Sequence, residues 1–218
     1  MPRRLPGSFI VLEGIDGSGS TTHTRLLAEA LRKQGHQVRT SCEPTDGPVG
    51  AVIRQVLQRR LMLADGDTVR PFAWSTMALL FAADRLDHLD SFVLPGLEQG
   101  AVVLSDRYDL SSLAYQSATA PSGVDVLPWI RQINSRARRP DLTIVLDVAV
   151  EVAEQRRQRR GVADELFDER QLQAKLARLY LEAEALVPGD KLVHVPGDSS
   201  IEETAARILD VVVSELGR

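Results

Sequence analysis

The chain has 218 residues, of which 44% are hydrophobic and 26% charged, as in an ordinary soluble globular protein. Its formal net charge of -4 excludes a general attraction to nucleic acid or to an anionic membrane. The single cysteine, Cys42, excludes an internal disulfide framework and a cysteine-rich zinc site. The longest apolar runs are strand-sized, well short of the roughly 18 residues of a membrane span, so we expect a cytoplasmic protein without a transmembrane segment.

Short apolar runs alternate with longer stretches of helical periodicity. Apolar runs rich in β-branched residues predict five strands, at 8–13, 37–41, 101–105, 142–147 and 191–195. Apolar residues three and four apart predict helices at 21–34, 71–89, 110–118, 125–137, 149–160, 167–186 and about 200–216. This alternation predicts an α/β fold with a parallel sheet covered by helices on both faces. The length suits a single domain over residues 1–218.

Acidic residues cluster at the carboxyl ends of these predicted strands, where sheets of this kind bind their ligands. The segments that follow the strands are Glu13-Gly14, Cys42-Glu43-Pro44, Asp106-Arg107-Tyr108 and Asp147. Such a concentration of acids would be unusual in a purely structural sheet. The sequence therefore predicts a functional site at this edge.

The first strand runs into a glycine-rich loop that is followed by a helix. Gly14, Gly19 and Thr21 match the phosphate-loop pattern G-x-x-x-x-G-K-[ST], but Ser20 occupies the lysine position. Backbone N–H groups of such a loop point at a phosphate, and the threonine hydroxyl binds Mg²⁺. The alternative is a Gly/Ser-rich turn whose hydroxyl caps the helix. The candidate ATP-binding residues are Gly14, Asp16, Gly17, Ser18, Gly19, Ser20, Thr21 and Thr22.

A second polar segment, DRYDLSSLAYQ, spans residues 106–116 after the third predicted strand. Asp106 stands where phosphate-loop kinases hold a carboxylate near Mg²⁺, and Arg107 could clamp a phosphate. Ser112 and Gln116 lie four residues apart on one helix face, where a hydroxyl and an amide can read the edge of a base. The alternative is a surface ion pair followed by a helix cap.

This segment resembles the one that identifies thymidylate kinases, D-R-Y-x-x-S-S-L-A-Y-Q. Upstream, LFAADR at 80–85 resembles the family's helix, in which a phenylalanine stacks on thymine and an arginine four residues later binds the monophosphate. Phe81 and Arg85 have that spacing. The resemblance extends from Phe9 to about Asp210, and further matches are Glu43-Pro44, Gly50-x-x-Ile53-Arg54 and Pro140-Asp141-Leu142-Thr143.

The resemblance implies a five-stranded P-loop nucleoside monophosphate kinase fold, ATP with Mg²⁺ as donor, dTMP as acceptor, and a homodimer. Thr21 and Asp106 would hold the metal, and Arg85 and Arg107 the acceptor phosphate. Asp16 and Glu43 would lie near the deoxyribose and the acceptor side. The thymine and sugar pocket would comprise Arg54, Phe81, Ser112, Tyr115 and Gln116.

Two departures from the family each remove a positive charge beside phosphate. Ser20 replaces the loop lysine, and Cys42 stands where bacterial members usually have arginine. Residues 151–161, EVAEQRRQRRG, are by contrast crowded with arginine. The resemblance implies a lid over ATP at about 156–168, with Arg156 and Arg160 joining Asp16 and Arg107 as catalytic residues. A solvated helix end is the alternative.

Two other functions remain open at this point. A non-catalytic nucleotide-binding relic of a kinase would explain the loss of the lysine. A kinase for another pyrimidine monophosphate, such as dUMP, would keep the chemistry and change the acceptor.

Overall fold

The computed structural model describes residues 5–121, 123, 125–160 and 170–217, without the side chain of Arg160. Its strands are β1 (Ser8–Glu13), β2 (Val38–Cys42), β3 (Leu63–Asp65), β4 (Thr68–Arg70), β5 (Val102–Asp106), β6 (Leu142–Asp147) and β7 (Leu192–Pro196). Five of them form a parallel sheet in the order β2-β5-β1-β6-β7. The other two, β3 and β4, form a small antiparallel hairpin.

The helices fill the connections between these strands. They are α1 (Ser20–Lys33), α2 (Pro48–Leu57), α3 (Trp74–His88), α4 (Leu94–Glu98), α5 (Asp109–Thr119), α6 (Leu127–Ile133), α7 (Val150–Arg160), α8 (Arg170–Leu181), α9 (Ala183–Leu186) and α10 (Ile201–Leu216). A π-helical turn, Leu89–Val93, joins α3 to α4. Among the residues described, no helix combines the length and hydropathy needed to cross a membrane.

Apolar packing on both faces of the sheet explains why the strands read as continuous apolar runs. On one face Ile10 and Leu12 of β1 pack with Leu27 of α1 and Ile208 of α10. On the other face Phe9 and Val11 pack with residues of the π-helical turn and α4, namely Leu89, Val93 and Leu97. The predicted α/β fold, a five-stranded parallel sheet with helices on both faces, is confirmed.

The predicted elements differ from the observed ones mainly at their ends. The predicted helix 167–186 is divided, because α8 ends at Leu181 and α9 begins at Ala183, and its first residues lie outside the described part of the chain. The β3–β4 hairpin was not predicted. Its strands have three residues each and are largely exposed, so they carry no buried alternation that a sequence pattern could reveal.

The strand register brings three polar segments to one edge of the sheet. Leu12 of β1 lies beside Asp106 of β5, which in turn lies beside Cys42 of β2. The N–H of Arg107 donates to the carbonyl oxygen of Leu12 over 2.9 Å, and that of Glu43 to Asp106 over 3.0 Å. The loops after these three strands therefore start side by side.

Candidate active site

The loop from Gly14 to Gly19 is shaped by close packing and by a left-handed backbone. Gly17 has φ 92°, and a Cβ there would lie 2.4 Å from the carbonyl oxygen of Ala153 in α7. Gly19 has φ 98° and precedes α1, whose N-terminus is capped by none of the described side chains. The first N–H groups of α1 are therefore available to an anion, and the helix dipole favours its charge.

Thr21 and Asp106 meet beside this helix N-terminus. The Thr21 hydroxyl donates to Asp106 Oδ2 over 2.5 Å. Asp106 is 8% exposed, and its other oxygen, Oδ1, is buried without a hydrogen-bond partner among the described residues. Hydroxyl and carboxylate oxygens are the ligands that Mg²⁺ prefers. The pair therefore fits the magnesium site expected from the sequence.

Arginines of α7 lie over the loop that lacks a lysine. Arg156 donates to the carbonyl oxygens of Ser18 over 3.3 Å and Gly197 over 2.8 Å, and Arg157 donates to that of Asp16 over 2.6 Å. Burial lowers the pKa of His23 in α1, and the charge of Arg156 lowers it further. Positive charge from α7 therefore reaches the first turns of α1.

Arg157 contacts the phosphate loop although it was not among the expected lid residues. It belongs to the arginine-rich run, but the family resemblance favoured Arg156 and Arg160. The side chain of Arg160 and the rest of the predicted lid, from residue 161 on, lie outside the described part of the chain.

Cys42 supplies no charge at its position, because burial raises the pKa of its thiol to about 11.

Arg107 links this loop to the segment after β5. Its φ of 71° is in the left-handed region, a costly conformation for a side chain with a Cβ, and turns the residue back toward β1. Its guanidinium donates to Asp16 Oδ1 over 2.6 Å and to the carbonyl oxygen of Gly14 over 2.9 Å. Asp16 Oδ2 in turn accepts from the Tyr115 hydroxyl over 2.8 Å and from Gln173 Nε2 over 3.0 Å. Gln173 was not predicted as a site residue.

A buried carboxylate, Glu13, shares two hydroxyl partners with Arg107. It accepts hydrogen bonds from the N–H groups of Tyr108 and Ser111 and from the hydroxyls of Ser111 and Tyr180. Both hydroxyls also contact the Arg107 guanidinium. Burial raises the pKa of Glu13 to about 7. The sequence placed Glu13 at a strand end but gave it no role in the site.

A central cleft of about 130 Å³ opens between α3, α5 and the loops after β1, β2 and β5. Its lining contains all of the predicted substrate residues except Arg54. The lining residues are Asp16, Glu43, Pro44, Leu57, Phe81, Arg85, Arg107, Tyr108, Ser111, Ser112, Tyr115 and Gln116. Arg54 instead donates to the carbonyl oxygen of Pro44 over 2.9 Å and pairs with the exposed Asp46.

Arg85 is held tightly at the base of the central cleft. It is 1% exposed, and its Nη2 donates to Glu43 Oε2 over 2.7 Å, to the Tyr108 carbonyl and to the Ser112 hydroxyl. Its Nη1 donates to Asn134 Oδ1.

Three residues that line the central cleft have a buried polar atom without a partner among the described residues: Nε of Arg85, Oε1 of Gln116 and the hydroxyl of Tyr108. The first is a donor, the second is an acceptor, and the hydroxyl can be either. Leaving such groups unpaired costs about 1–3 kcal/mol each, so these atoms are suited to a bound ligand.

An anion-binding helix N-terminus and a guanidinium-lined cleft thus adjoin each other at the carboxyl edge of a parallel sheet. This is the architecture of a P-loop nucleoside monophosphate kinase. The family model described as thymidylate kinase matches residues 12–208.

Individual relatives agree with the family model over nearly the whole chain. A "Probable thymidylate kinase" of Pyrococcus horikoshii is 42% identical over 97% of this chain and 98% of its own length. A protein of the same name from Pyrococcus abyssi has the same identity and coverage. A "Thymidylate kinase" of Nitrosomonas eutropha is 37% identical over 94% of this chain and 92% of its own length. The chain belongs to the thymidylate kinase family.

Proposed function

We propose that this protein transfers the terminal phosphoryl group of ATP to dTMP, forming ADP and dTDP for pyrimidine deoxynucleotide synthesis. The observation that carries the choice of base type is a donor and an acceptor among the unpartnered buried atoms of the central cleft, Nε of Arg85 and Oε1 of Gln116. Thymine offers a carbonyl acceptor at C4 and an N–H donor at N3, which satisfy these two atoms. Uracil offers the same two groups, and the family membership favours dTMP over dUMP.

A guanidinium can only donate, so the base must present an acceptor to Arg85. The C4 carbonyl of thymine does so, whereas the C4 amino group of cytosine would set a donor against a donor. The Phe81 ring, which packs against Ile53 and Met77, borders the cleft and offers a surface for stacking.

This assignment changes the role expected for Arg85. The sequence comparison gave it the acceptor phosphate, but both terminal nitrogens are already engaged with protein oxygens. Arg107 borders the cleft and also contacts the carbonyl oxygen of Gly14 in the phosphate loop. The terminal nitrogens of Arg107 are also engaged, but its side chain is 17% exposed, against 1% for Arg85. We therefore assign the acceptor phosphate to Arg107 and the base edge to Arg85.

Phosphoryl transfer depends on positioning and charge neutralisation more than on covalent chemistry. The N-terminus of α1 would bind the donor phosphates, and Arg107 would fix the acceptor beside them. Thr21 and Asp106 would hold Mg²⁺, which supplies charge neutralisation at the ATP phosphates when bound. Arg156 and Arg157 supply protein cations at Ser18 and Asp16 of the loop that lacks the lysine. Asp16 orients Arg107.

We propose that residues 1–218 act as one cytoplasmic kinase domain, with a lid at about 156–168 that includes Arg160. A homodimer would cover Val52 of α2 and Leu79 and Leu86 of α3, apolar side chains exposed by 39%, 52% and 36%. Sedimentation equilibrium tests the dimer. A monomer at micromolar concentration would contradict it.

A coupled assay of ADP formation tests the proposed function. ATP and Mg²⁺ are supplied with dTMP, dUMP, dCMP or dGMP at equal concentration, and initial rates are compared. We expect dTMP to be the best acceptor and dGMP to be inactive. Comparable rates with dGMP and dTMP would contradict the assignment. Binding of both ATP and dTMP without turnover would support a non-catalytic nucleotide-binding protein, which the family membership does not favour.

A further inference from the structure

Two side chains of α3 contact the two carboxylate oxygens of the buried Glu43. Glu43 Oε2 accepts from Arg85 Nη2 over 2.7 Å, and Glu43 Oε1 lies 3.0 Å from His88 Nδ1. The three side chains are 1–2% exposed. Arg85 and His88 are three residues apart, so they project from the same side of the helix. The carboxylate is thereby fixed in position and in rotation.

The two hydrogen-bonding partners of His88 indicate which of its ring nitrogens carries a hydrogen. A carboxylate only accepts, so Nδ1 must carry a hydrogen. The other ring nitrogen, Nε2, lies 2.8 Å from the hydroxyl of Ser41, which can donate to it. The remaining contact of that hydroxyl, to the carbonyl oxygen of Leu104, is longer at 3.4 Å. The contacts thus form a continuous series from Ser41 through His88 to Glu43, to which Arg85 also donates.

Neither Ser41 nor His88 lines the central cleft. Both border a separate cavity of about 550 Å³ between α1, β2 and the end of α3. Thr21 and Asp106 border the same cavity. Among the described contacts, the route from His88 to the central cleft runs through Glu43 and Arg85. Removing His88 would leave Glu43 Oε1 buried without that donor and free the carboxylate to rotate. The Arg85 guanidinium would then keep its contacts with Asn134, Tyr108 and Ser112 but lose a fixed carboxylate partner.

We propose that His88 and Ser41 are positioning residues that set the direction of Arg85 Nε and thereby determine which pyrimidine edge the kinase accepts. This inference rests on the proposed function, because it concerns the base in the same cleft. The series of contacts explains why a histidine is buried outside the central cleft. It predicts an effect on acceptor binding and acceptor choice, and none on the donor site.

The test compares four variants with the unmutated enzyme. His88→Leu removes both ring nitrogens, His88→Asn keeps an amide donor toward Glu43, and Ser41→Ala removes the first hydroxyl. His36→Leu is the matched control, because His36 is exposed. For each variant, kcat, the KM for dTMP, the KM for ATP and the ratio of kcat/KM for dTMP over dCMP are measured.

We expect His88→Leu to raise the KM for dTMP by about 10- to 100-fold, the scale of a lost hydrogen bond to a charged group. The KM for ATP should stay unchanged, and the preference for dTMP over dCMP should fall. His88→Asn should restore most of both properties, and Ser41→Ala should cause a smaller loss of the same kind.

An unchanged KM for dTMP and unchanged base preference in folded His88→Leu would overturn the inference. So would equal losses for dTMP and ATP, which indicate general destabilisation. If His88→Leu does not fold, Ser41→Ala decides, and an unchanged KM and base preference there would have the same consequence. These failures leave the proposed function standing, provided that the unmutated enzyme phosphorylates dTMP. Absence of that turnover would refute the proposed function itself.

Discussion

The guanidinium of Arg107 and the carboxylate of Asp16 are joined by a 2.6 Å ion pair that spans the boundary between the phosphate loop and the central cleft. Asp16 belongs to the loop after β1, and Arg107 follows β5. The second oxygen of Asp16 is held by α5 and α8, through Tyr115 and Gln173. The ion pair therefore connects the phosphate loop directly with the central cleft.

The first prediction concerns this ion pair. Arg107→Lys keeps the charge but loses the planar fork that reaches Asp16 and Gly14 together. We expect its kcat/KM for dTMP to fall by about 10- to 100-fold, while ATP binding changes little. Asp16→Asn should give a related loss, and the double variant should lose less than the product of the two, because the residues act together. Independent, multiplicative losses in steady-state kinetics would show that the pair is not a unit.

The second prediction concerns the unpaired acceptor of the central cleft. Gln116→Leu removes the oxygen that we assign to the N3 hydrogen of thymine. The loss should be about 1–3 kcal/mol, or about 5- to 100-fold in the dissociation constant for dTMP measured by calorimetry. Ser117→Ala is the matched control on the same helix, since its hydroxyl only bonds to carbonyls of that helix. Equal dTMP affinity in Gln116→Leu and the control would remove Gln116 from the site.

The third prediction concerns the missing lysine. Because Arg156 lies against the loop next to Ser20, Arg156→Ala should lower the single-turnover rate by about 10³-fold, the scale of a transition-state arginine. Ser20→Lys should partly restore the rate of that variant, because both cations would serve one task. Arg207→Ala, an exposed arginine on α10, is the control and should behave like the unmutated enzyme.

Strict additivity in this double-mutant cycle would contradict the shared task and direct attention to Arg157, which contacts the same loop. Full activity of Arg156→Ala would exclude Arg156 from the transition state altogether.

The fourth prediction concerns pH. The pKa of Glu13 is raised by burial from an ordinary 4.5 to about 7, so the folded protein binds more protons than the unfolded chain between these values. Its contribution to stability is therefore present below pH 4.5 and is lost as the pH rises to about 7. At about 1.36 kcal/mol per pKa unit, the total is on the order of 3 kcal/mol.

Urea denaturation at several pH values measures this contribution. Glu13→Gln should flatten the fall in the free energy of unfolding between pH 4.5 and 7. Glu98→Gln, an exposed carboxylate on α4, should keep the slope of the unmutated protein. An unchanged slope in Glu13→Gln would show that the carboxylate does not control it.

The fold could be predicted because the central strands are buried on both faces and must be apolar throughout. Ile10 and Leu12 face one layer of helices and Phe9 and Val11 the other, so the run 8–13 has no polar alternation. The β3–β4 hairpin could not be predicted, because its exposed residues have no alternation of buried and exposed positions.

The site was predictable where a motif carries it and not where tertiary packing does. The phosphate loop and the segment 106–116 have fixed spacings, and the structure brings most of their residues to one edge. The contacts of Glu13, Gln173 and Asn134 join elements far apart in the chain. No local sequence pattern could therefore predict them. Arg85 shows the same limit: its spacing from Phe81 was readable, but its complete burial was not.

The close packing of Gly17 against Ala153 holds the phosphate loop directly against α7. A methyl group at position 17 would overlap the carbonyl oxygen of Ala153, and two arginines of α7 bind carbonyls of the same loop. An opening of the donor site that moved α7 would therefore have to break the Gly17–Ala153 contact and both arginine contacts together.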